Sequence, residues 1–149
     1  MTNIMNTSFS WPKELPFIKK VGIAVSVIVA LSAPAPFVEL DFFNNPMYLS
    51  LLDYSIVLGI IALVCGAVGL IFSIFGKYVF CLIPGAVSLG VIAAYHIMLH
   101  KMLLSVGPIQ ISRNFVKPDT GYYLLITGTV GLVIVGAVGT LIRIYLPKS

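Results

Sequence analysis

The fold of this chain is decided by the stretch from Tyr54 to Met98, YSIVLGIIALVCGAVGLIFSIFGKYVFCLIPGAVSLGVIAAYHIM, in which Lys77 is the one Asp, Glu, Lys or Arg residue. The pair Gly76-Lys77 divides the stretch into two apolar runs, 54–75 and 78–98. Each run is close to the roughly 20 residues that a helix needs to cross a lipid bilayer. A third run of this kind covers 122–146, and the three runs predict membrane-spanning helices.

The composition of the whole chain argues against a water-soluble domain. Of its 149 residues, 59% are hydrophobic and 9% are charged, whereas soluble domains carry roughly 25% charged residues. The mean hydropathy is +1.06. The net charge of +4 is spread along the chain without a basic run that could follow a phosphate backbone. Lipid is therefore the expected surrounding, and nucleic-acid binding is not expected.

A fourth and weaker apolar run covers 17–33, where Lys19 and Lys20 can extend their charged ends to the membrane surface. The run also resembles a secretory signal, with a basic start, an apolar centre and the small-residue site Ala33-Pro34-Ala35. Because Pro36 would follow the cut directly, we interpret the run as an uncleaved anchor. The predicted fold is a single-domain, all-α integral membrane protein with four transmembrane helices, 17–33, 54–75, 78–98 and 122–146.

The basic residues predict the orientation of these helices. Six of the nine Lys and Arg residues would lie on the side of the two termini, and short cytoplasmic segments carry an excess of Lys and Arg. Both termini are therefore predicted to be cytoplasmic, in a multi-pass protein of the cell membrane. This orientation leaves two longer outer loops, 34–50 and 102–121.

The two outer loops carry opposite charges. The first contains Glu39 and Asp41, whereas the second contains Arg113, Lys117 and Asp119. Two interpretations are open: these are solvated loop charges, or the loops fold together into a small outer cap.

A possible internal repeat relates the second and fourth spans. Gly-Ala-Val-Gly occurs at 66–69 and again at 136–139, each time following a Tyr and a further Gly at similar spacing. The pattern is compatible with two tandem helical hairpins related by an axis along the membrane normal. Chance recurrence of Gly, Ala and Val in apolar helices explains it equally simply.

Small residues recur at helical spacing in three spans, and such residues allow membrane helices to approach closely. We expect these positions to exceed what the interior of a four-helix bundle needs, so that some face another protein. They are Ala86, Gly90 and Ala94 in the third span, with Ala62 and Gly66, Gly128 and Gly131, and Gly136 and Gly139 in the other two.

Several polar residues near the spans have local interpretations. Ser50-Leu51-Leu52-Asp53 fits a capping box at a helix start, which favours a structural role for Asp53 over ion transport. Cys65 and Cys81 would lie at depths about 10 Å apart at the helical rise per residue, which is too far for a disulfide. His96 and His100 lie one helical turn apart and could supply two ligands to a metal ion, although further ligands would have to come from other helices.

The function favoured by these observations is that of a non-catalytic structural or accessory subunit of a membrane protein complex. Its partners would be other integral membrane proteins, in a hetero- or homo-oligomer, together with lipid, and no cofactor is expected. The alternative is a homo-oligomeric channel or transporter, and the third hypothesis is a metal-dependent membrane enzyme that uses His96 and His100. The channel would be lined by residues such as Ser55, Ser73, Thr127 and Thr129.

Overall fold

The computed structural model describes residues 16–42, 45–105 and 116–145. In chain order, the described residues form α1 (Pro16–Ser32), β1 (Pro36–Phe42), β2 (Asn45–Ser50), α2 (Leu51–Tyr54), α3 (Ile56–Ile74), a 3-10 turn (Tyr78–Cys81), α4 (Leu82–Ser105), β3 (Val116–Pro118) and α5 (Thr120–Tyr145).

Three helical segments in the described part of the chain are long and apolar enough to cross a membrane. They are Ile56–Ile74, Tyr78–Lys101 and Thr120–Tyr145, and they match the runs predicted at 54–75, 78–98 and 122–146. The length and composition of these segments give the chain the character of a multi-pass membrane protein. Helix α1 matches the fourth predicted run in position but has 17 residues, fewer than any of the three.

The long helices form a four-membered bundle in which α1 packs against α3 and α5, and α4 packs against the same two helices. Near its start, α1 meets the end of α3 at Gly22 and Ser73. Near its end, α1 meets the middle of α3 at Ala30 and Gly66. The two helices are therefore antiparallel, and the order around the bundle is α1, α3, α4, α5.

Glycines on α3 and α5 allow α1 to approach closely. A Cβ atom at Gly66 would lie 2.6 Å from the backbone nitrogen of Ala30, and one at Gly128 would lie 2.5 Å from a methyl carbon of Val29. Lipid provides no hydrophobic drive for helix association, so close van der Waals contact of this kind holds membrane helices together. Helix α1 thus lies in a groove lined by glycines from both neighbours.

A tight turn joins α3 to α4 at the end of the bundle where α1 begins and α5 ends. Gly76 has a φ of 69°, a left-handed conformation that glycine adopts without steric cost. The backbone N–H of Lys77 donates to the carbonyl oxygen of Phe72 at 2.9 Å, which closes the helix end. We call this end of the bundle the turn end.

The opposite end of the bundle carries a three-stranded antiparallel sheet, in the order β2-β1-β3, and we call it the sheet end. Glu39 on β1 lies opposite Lys117 on β3, so the two outer segments fold together into a cap. Pro46 and Pro118 lie on the two edge strands, where a missing N–H is tolerated.

The chain was predicted to be all-α, and the three-stranded sheet shows that this prediction was incomplete. The predicted loop 34–50 contains the hairpin of β1 and β2, because a chain rich in Phe, Val and Leu can pair there with both of its neighbours. In the predicted loop 102–121, α4 continues to Ser105 and β3 forms at 116–118. Arg113 lies outside the described residues.

A β-bulge anchors the sheet to the helices. Consecutive strand residues normally face opposite sides of a sheet, yet Phe37 and Val38 are both buried. The register of β1 against β2 shifts between Pro36 and Val38, and such an extra residue redirects side chains locally. The carbonyl oxygen of Phe37 accepts a hydrogen bond from the backbone N–H of Asp119 at 3.0 Å. The bulge thereby turns the Phe37 ring into the bundle.

The predicted capping box is confirmed at the start of α2. The Ser50 hydroxyl accepts from the Asp53 backbone N–H at 3.2 Å, and an Asp53 carboxylate oxygen accepts from the Ser50 hydroxyl at 2.6 Å and from its backbone N–H at 3.1 Å. These bonds from the side chain and backbone of Ser50 lower the pKa of the exposed Asp53 carboxyl below its usual value. Asp53 therefore caps the start of α2, at the sheet end of the bundle.

The two cysteines are unpaired and buried, as predicted. The Cys81 thiol lies 3.6 Å from the hydroxyl of Ser73 and 3.9 Å from the carbonyl oxygen of Gly69. Both cysteines contribute to the packing between helices.

Candidate functional site

Aromatic rings from four elements meet beneath the sheet. We call this group the aromatic cluster; its members are Phe37 on β1, Tyr54 on α2, Tyr95 and His96 on α4, and Tyr122 on α5. The Phe37 ring lies edge-on to Tyr95 and to Tyr122, with centroids 5.0 Å and 5.6 Å apart. Edge-to-face contacts are favourable beyond the area they bury. The cluster joins the sheet, α4 and α5 at one point.

Both ring nitrogens of His96 have hydrogen-bond partners. Nδ1 lies 3.0 Å from the carbonyl oxygen of Ile92, one turn back on α4, and Nε2 lies 3.3 Å from the hydroxyl of Tyr122. A carbonyl oxygen can only accept, so Nδ1 donates to Ile92. The contact between Nε2 and the Tyr122 hydroxyl ties α4 to α5.

The structure places no further metal ligands beside His96 and His100 among the described residues. His100 is exposed one turn beyond His96 on α4. Within residues 16–42, 45–105 and 116–145, no three His, Cys, Asp or Glu side chains come together in a way that could hold a metal ion. A metal at His96 would first have to replace one of its two hydrogen bonds. The site stays a prediction.

In the described part of the chain, the interior of the bundle holds no Asp, Glu, Lys, Arg or His side chain. Its largest fully buried side chains include Leu125, Leu132 and Val29. The buried polar side chains among the described residues are the hydroxyls of Ser26, Ser32, Ser73, Ser88 and Thr129. Acidic and basic side chains inside a membrane bundle are the usual carriers of proton and ion movement.

The hydroxyls proposed to line a channel do not share one surface. Ser73 and Thr129 are buried inside the bundle, whereas Thr127 is exposed on α5. Ser55 caps α3 by accepting from the backbone N–H of Leu58 at 3.4 Å. A channel built from several copies could not use these four residues together.

Most of the small residues at helical spacing pack inside the bundle, so the expectation that some of them face another protein is left to the few that do not. Gly66 meets Ala30, and Gly131 meets the Val25 side chain. Gly136 and Gly139 meet Leu82 and Tyr78 at the start of the third span. Gly66 and Gly131 thus line the groove between α3 and α5 that α1 fills.

The third span is the exception. A Cβ atom at Gly90 would meet no other atom within 4 Å among the described residues. Ala86, Gly90, Ala93 and Ile97 recur at intervals of three and four, which places them on one side of α4, and all four are exposed. We call these four residues the α4 face. Ala94, which we expected to belong to it, is half-buried.

Sequence patterns alone did not indicate the aromatic cluster. The hydrogen bond between Tyr122 and His96 joins residues 26 positions apart. Phe37 reaches the cluster through a bulge that no sequence periodicity marks. Comparison with protein-family models, with curated proteins and with solved structures found no match for this chain.

Proposed function

We propose that this chain is a non-catalytic structural or accessory subunit of a complex in the cell membrane, and that it crosses the membrane four times with both termini in the cytoplasm. The observation that carries the proposal is the contrast between an interior without acidic or basic side chains, in the described part of the chain, and the exposed α4 face. The α4 face resembles the surfaces by which membrane helices associate.

The position of α1 supports a fourth span. Its contacts begin opposite Ser73 at the last turn of α3, and the chain just after it meets Gly121 in the first turn of α5. Helix α1 therefore runs beside its neighbours over nearly their full length. Its 17 residues rise about 25 Å, which is close to the roughly 30 Å of a hydrocarbon core.

The distribution of charge supports the orientation. Lys19, Lys20, Lys77 and Arg143 lie at the turn end, where α1 begins and α5 ends. All four described acidic residues lie at the sheet end: Glu39, Asp41, Asp53 and Asp119. An excess of Lys and Arg is typical of the cytoplasmic side, so the turn end is assigned to the cytoplasm.

Native mass determination after extraction in a mild detergent tests the subunit proposal. We expect the wild-type chain to travel with a larger membrane protein. Ala86→Leu should release that protein while the chain still accumulates in the membrane, because Ala86 is exposed on the α4 face. Ala137→Leu is the matched control, since Ala137 is equally small and exposed but lies on α5.

The outcomes separate the three hypotheses. Loss of the partner with Ala86→Leu and its retention with Ala137→Leu support the proposal. A wild-type ring of identical chains would favour the channel or transporter instead, and a metal ion bound at His96 and His100 would favour the enzyme. An isolated wild-type chain would refute all partner-dependent functions.

A further inference from the structure

The turn end of the bundle combines two features that recur where proteins contact lipid headgroups. Its charged residues in the described part of the chain, Lys19, Lys20, Lys77 and Arg143, are all basic. Among the chain's acidic residues, Glu14 is the one that lies outside the described residues. The described turn end is therefore uniformly positive, whereas the sheet end has four acidic residues and the basic residues Lys101 and Lys117.

The packing of the helices brings the basic residues to the same end of the bundle. Gly22 meets Ser73, so Lys19, one turn before Gly22, lies beside the end of α3, which Lys77 follows by three residues. On α5, Gly139 meets Tyr78 and Arg143 lies one turn further towards the same end. The four positive charges thus lie at the ends of three neighbouring helices, on one side of the bundle.

Exposed aromatic rings accompany the basic residues. Phe17, Phe75 and Tyr145 are 75%, 72% and 76% exposed, and all three lie within a few residues of a turn-end lysine or arginine. Aromatic side chains concentrate where the acyl chains meet the headgroups, and long basic side chains extend past them to the phosphates. The rings and the charges therefore mark the same membrane surface.

We infer that the turn end is a binding surface for anionic lipid headgroups, with the phosphate of one lipid held by Lys19 and Lys77 between α1 and the α3–α4 turn. Clusters of Lys and Arg beside membrane spans attract acidic lipids over zwitterionic ones. The inference depends on residence in a membrane but not on a protein partner, so it can fail or succeed independently of the proposed subunit function.

The test is native mass spectrometry of the purified full chain titrated with phosphatidylglycerol or with phosphatidylcholine of matched acyl chains. We expect the wild-type chain to retain phosphatidylglycerol at least about tenfold more tightly, with the preference shrinking as salt is raised. Lys19→Gln combined with Lys77→Gln should reduce the preference to about twofold or less. Lys19→Arg combined with Lys77→Arg should keep it.

Lys101→Gln combined with Lys117→Gln is the matched control, because it removes two charges from the sheet end. This variant should retain the full preference. Equal retention of both lipids by the wild-type chain would overturn the inference, as would an equal loss of preference in the sheet-end control. All of the substituted lysines except Lys19 are exposed. The variant with Lys19→Arg and Lys77→Arg keeps both charges, so it shows whether a loss of lipid preference in the glutamine variant reflects charge rather than folding.

Discussion

At the scale of single residues, the buried hydroxyls differ in how their hydrogen bonds are satisfied. Ser26 donates to the carbonyl oxygen of Gly22 at 2.6 Å, and Thr140 donates to that of Gly136 at 2.9 Å, each on its own helix. The hydroxyl oxygen of Thr129 is buried without a hydrogen bond in the described structure. A buried polar atom without a partner is costly in an apolar interior.

Thr129→Val should therefore stabilise the bundle, by about 1 kcal/mol, because it replaces the unpaired hydroxyl by a methyl group of the same shape. The matched control is Thr140→Val on the same helix, which removes a hydroxyl bonded to the Gly136 carbonyl and should cost about 0.5 kcal/mol. Unfolding of the purified chain in detergent measures both. Destabilisation of Thr129→Val equal to that of Thr140→Val would show that the Thr129 hydroxyl has a partner.

Residue-scale features were predictable from sequence where they are local. Ser50 and Asp53 are three residues apart, so their spacing alone identifies a capping box. The unpaired state of Cys65 and Cys81 followed from helical rise. The bond from Tyr122 to His96 was not predictable, because it depends on the register of α5 against α4, which sequence spacing does not encode.

At the scale of elements, the small residues show what spacing predicts and what it leaves open. Spacings of three and four correctly indicated close helix contacts, yet only the structure shows which neighbour each face meets. The quartet at 66–69 packs on α1 and the quartet at 136–139 packs on the start of the third span, so each faces the helix that precedes it in the bundle. This supports the tandem-hairpin hypothesis, which stays a prediction.

Gly66→Ala should destabilise the bundle, whereas Gly90→Ala should not. The added Cβ at Gly66 would lie 2.6 Å from a backbone atom of Ala30, and relieving such overpacking costs about 1–3 kcal/mol. The same change at Gly90 meets open space and should gain up to about 1 kcal/mol of helix propensity. Hydrogen exchange of α1 amides checks this, since they should exchange faster in Gly66→Ala alone. Equal protection in both variants would contradict the packing of α1 on α3.

The sheet is the element that the sequence did not reveal. Strand β3 has three residues and β2 contains Pro46, so neither gives a strand-like pattern by itself. Their pairing comes from β1, which forms hydrogen-bonded ladders on both sides. The opposite charges of Glu39 and Lys117 were the one signal that pointed to this contact, and they support it as a cross-strand pair.

At the scale of the whole molecule, the described residues form a bundle with an uncharged interior, a folded cap at one end and a positive surface at the other. We propose that α1 crosses the membrane with α3, α4 and α5. The proposed subunit function and the lipid surface both depend on this arrangement, because the turn end exists as one surface only if α1 begins on the same side as Lys77.

Labelling of single added cysteines in sealed vesicles, with a reagent that does not cross the membrane, tests this claim most directly. Lys20→Cys and Lys77→Cys place thiols at exposed positions of the turn end, and Asn45→Cys places one at the exposed sheet end; the native cysteines are buried and serve as background. In right-side-out vesicles, we expect Asn45→Cys to be labelled at once and the other two to be labelled only after the membrane is opened. Labelling of Lys20→Cys together with Asn45→Cys, while Lys77→Cys stays protected, would contradict a membrane crossing by α1.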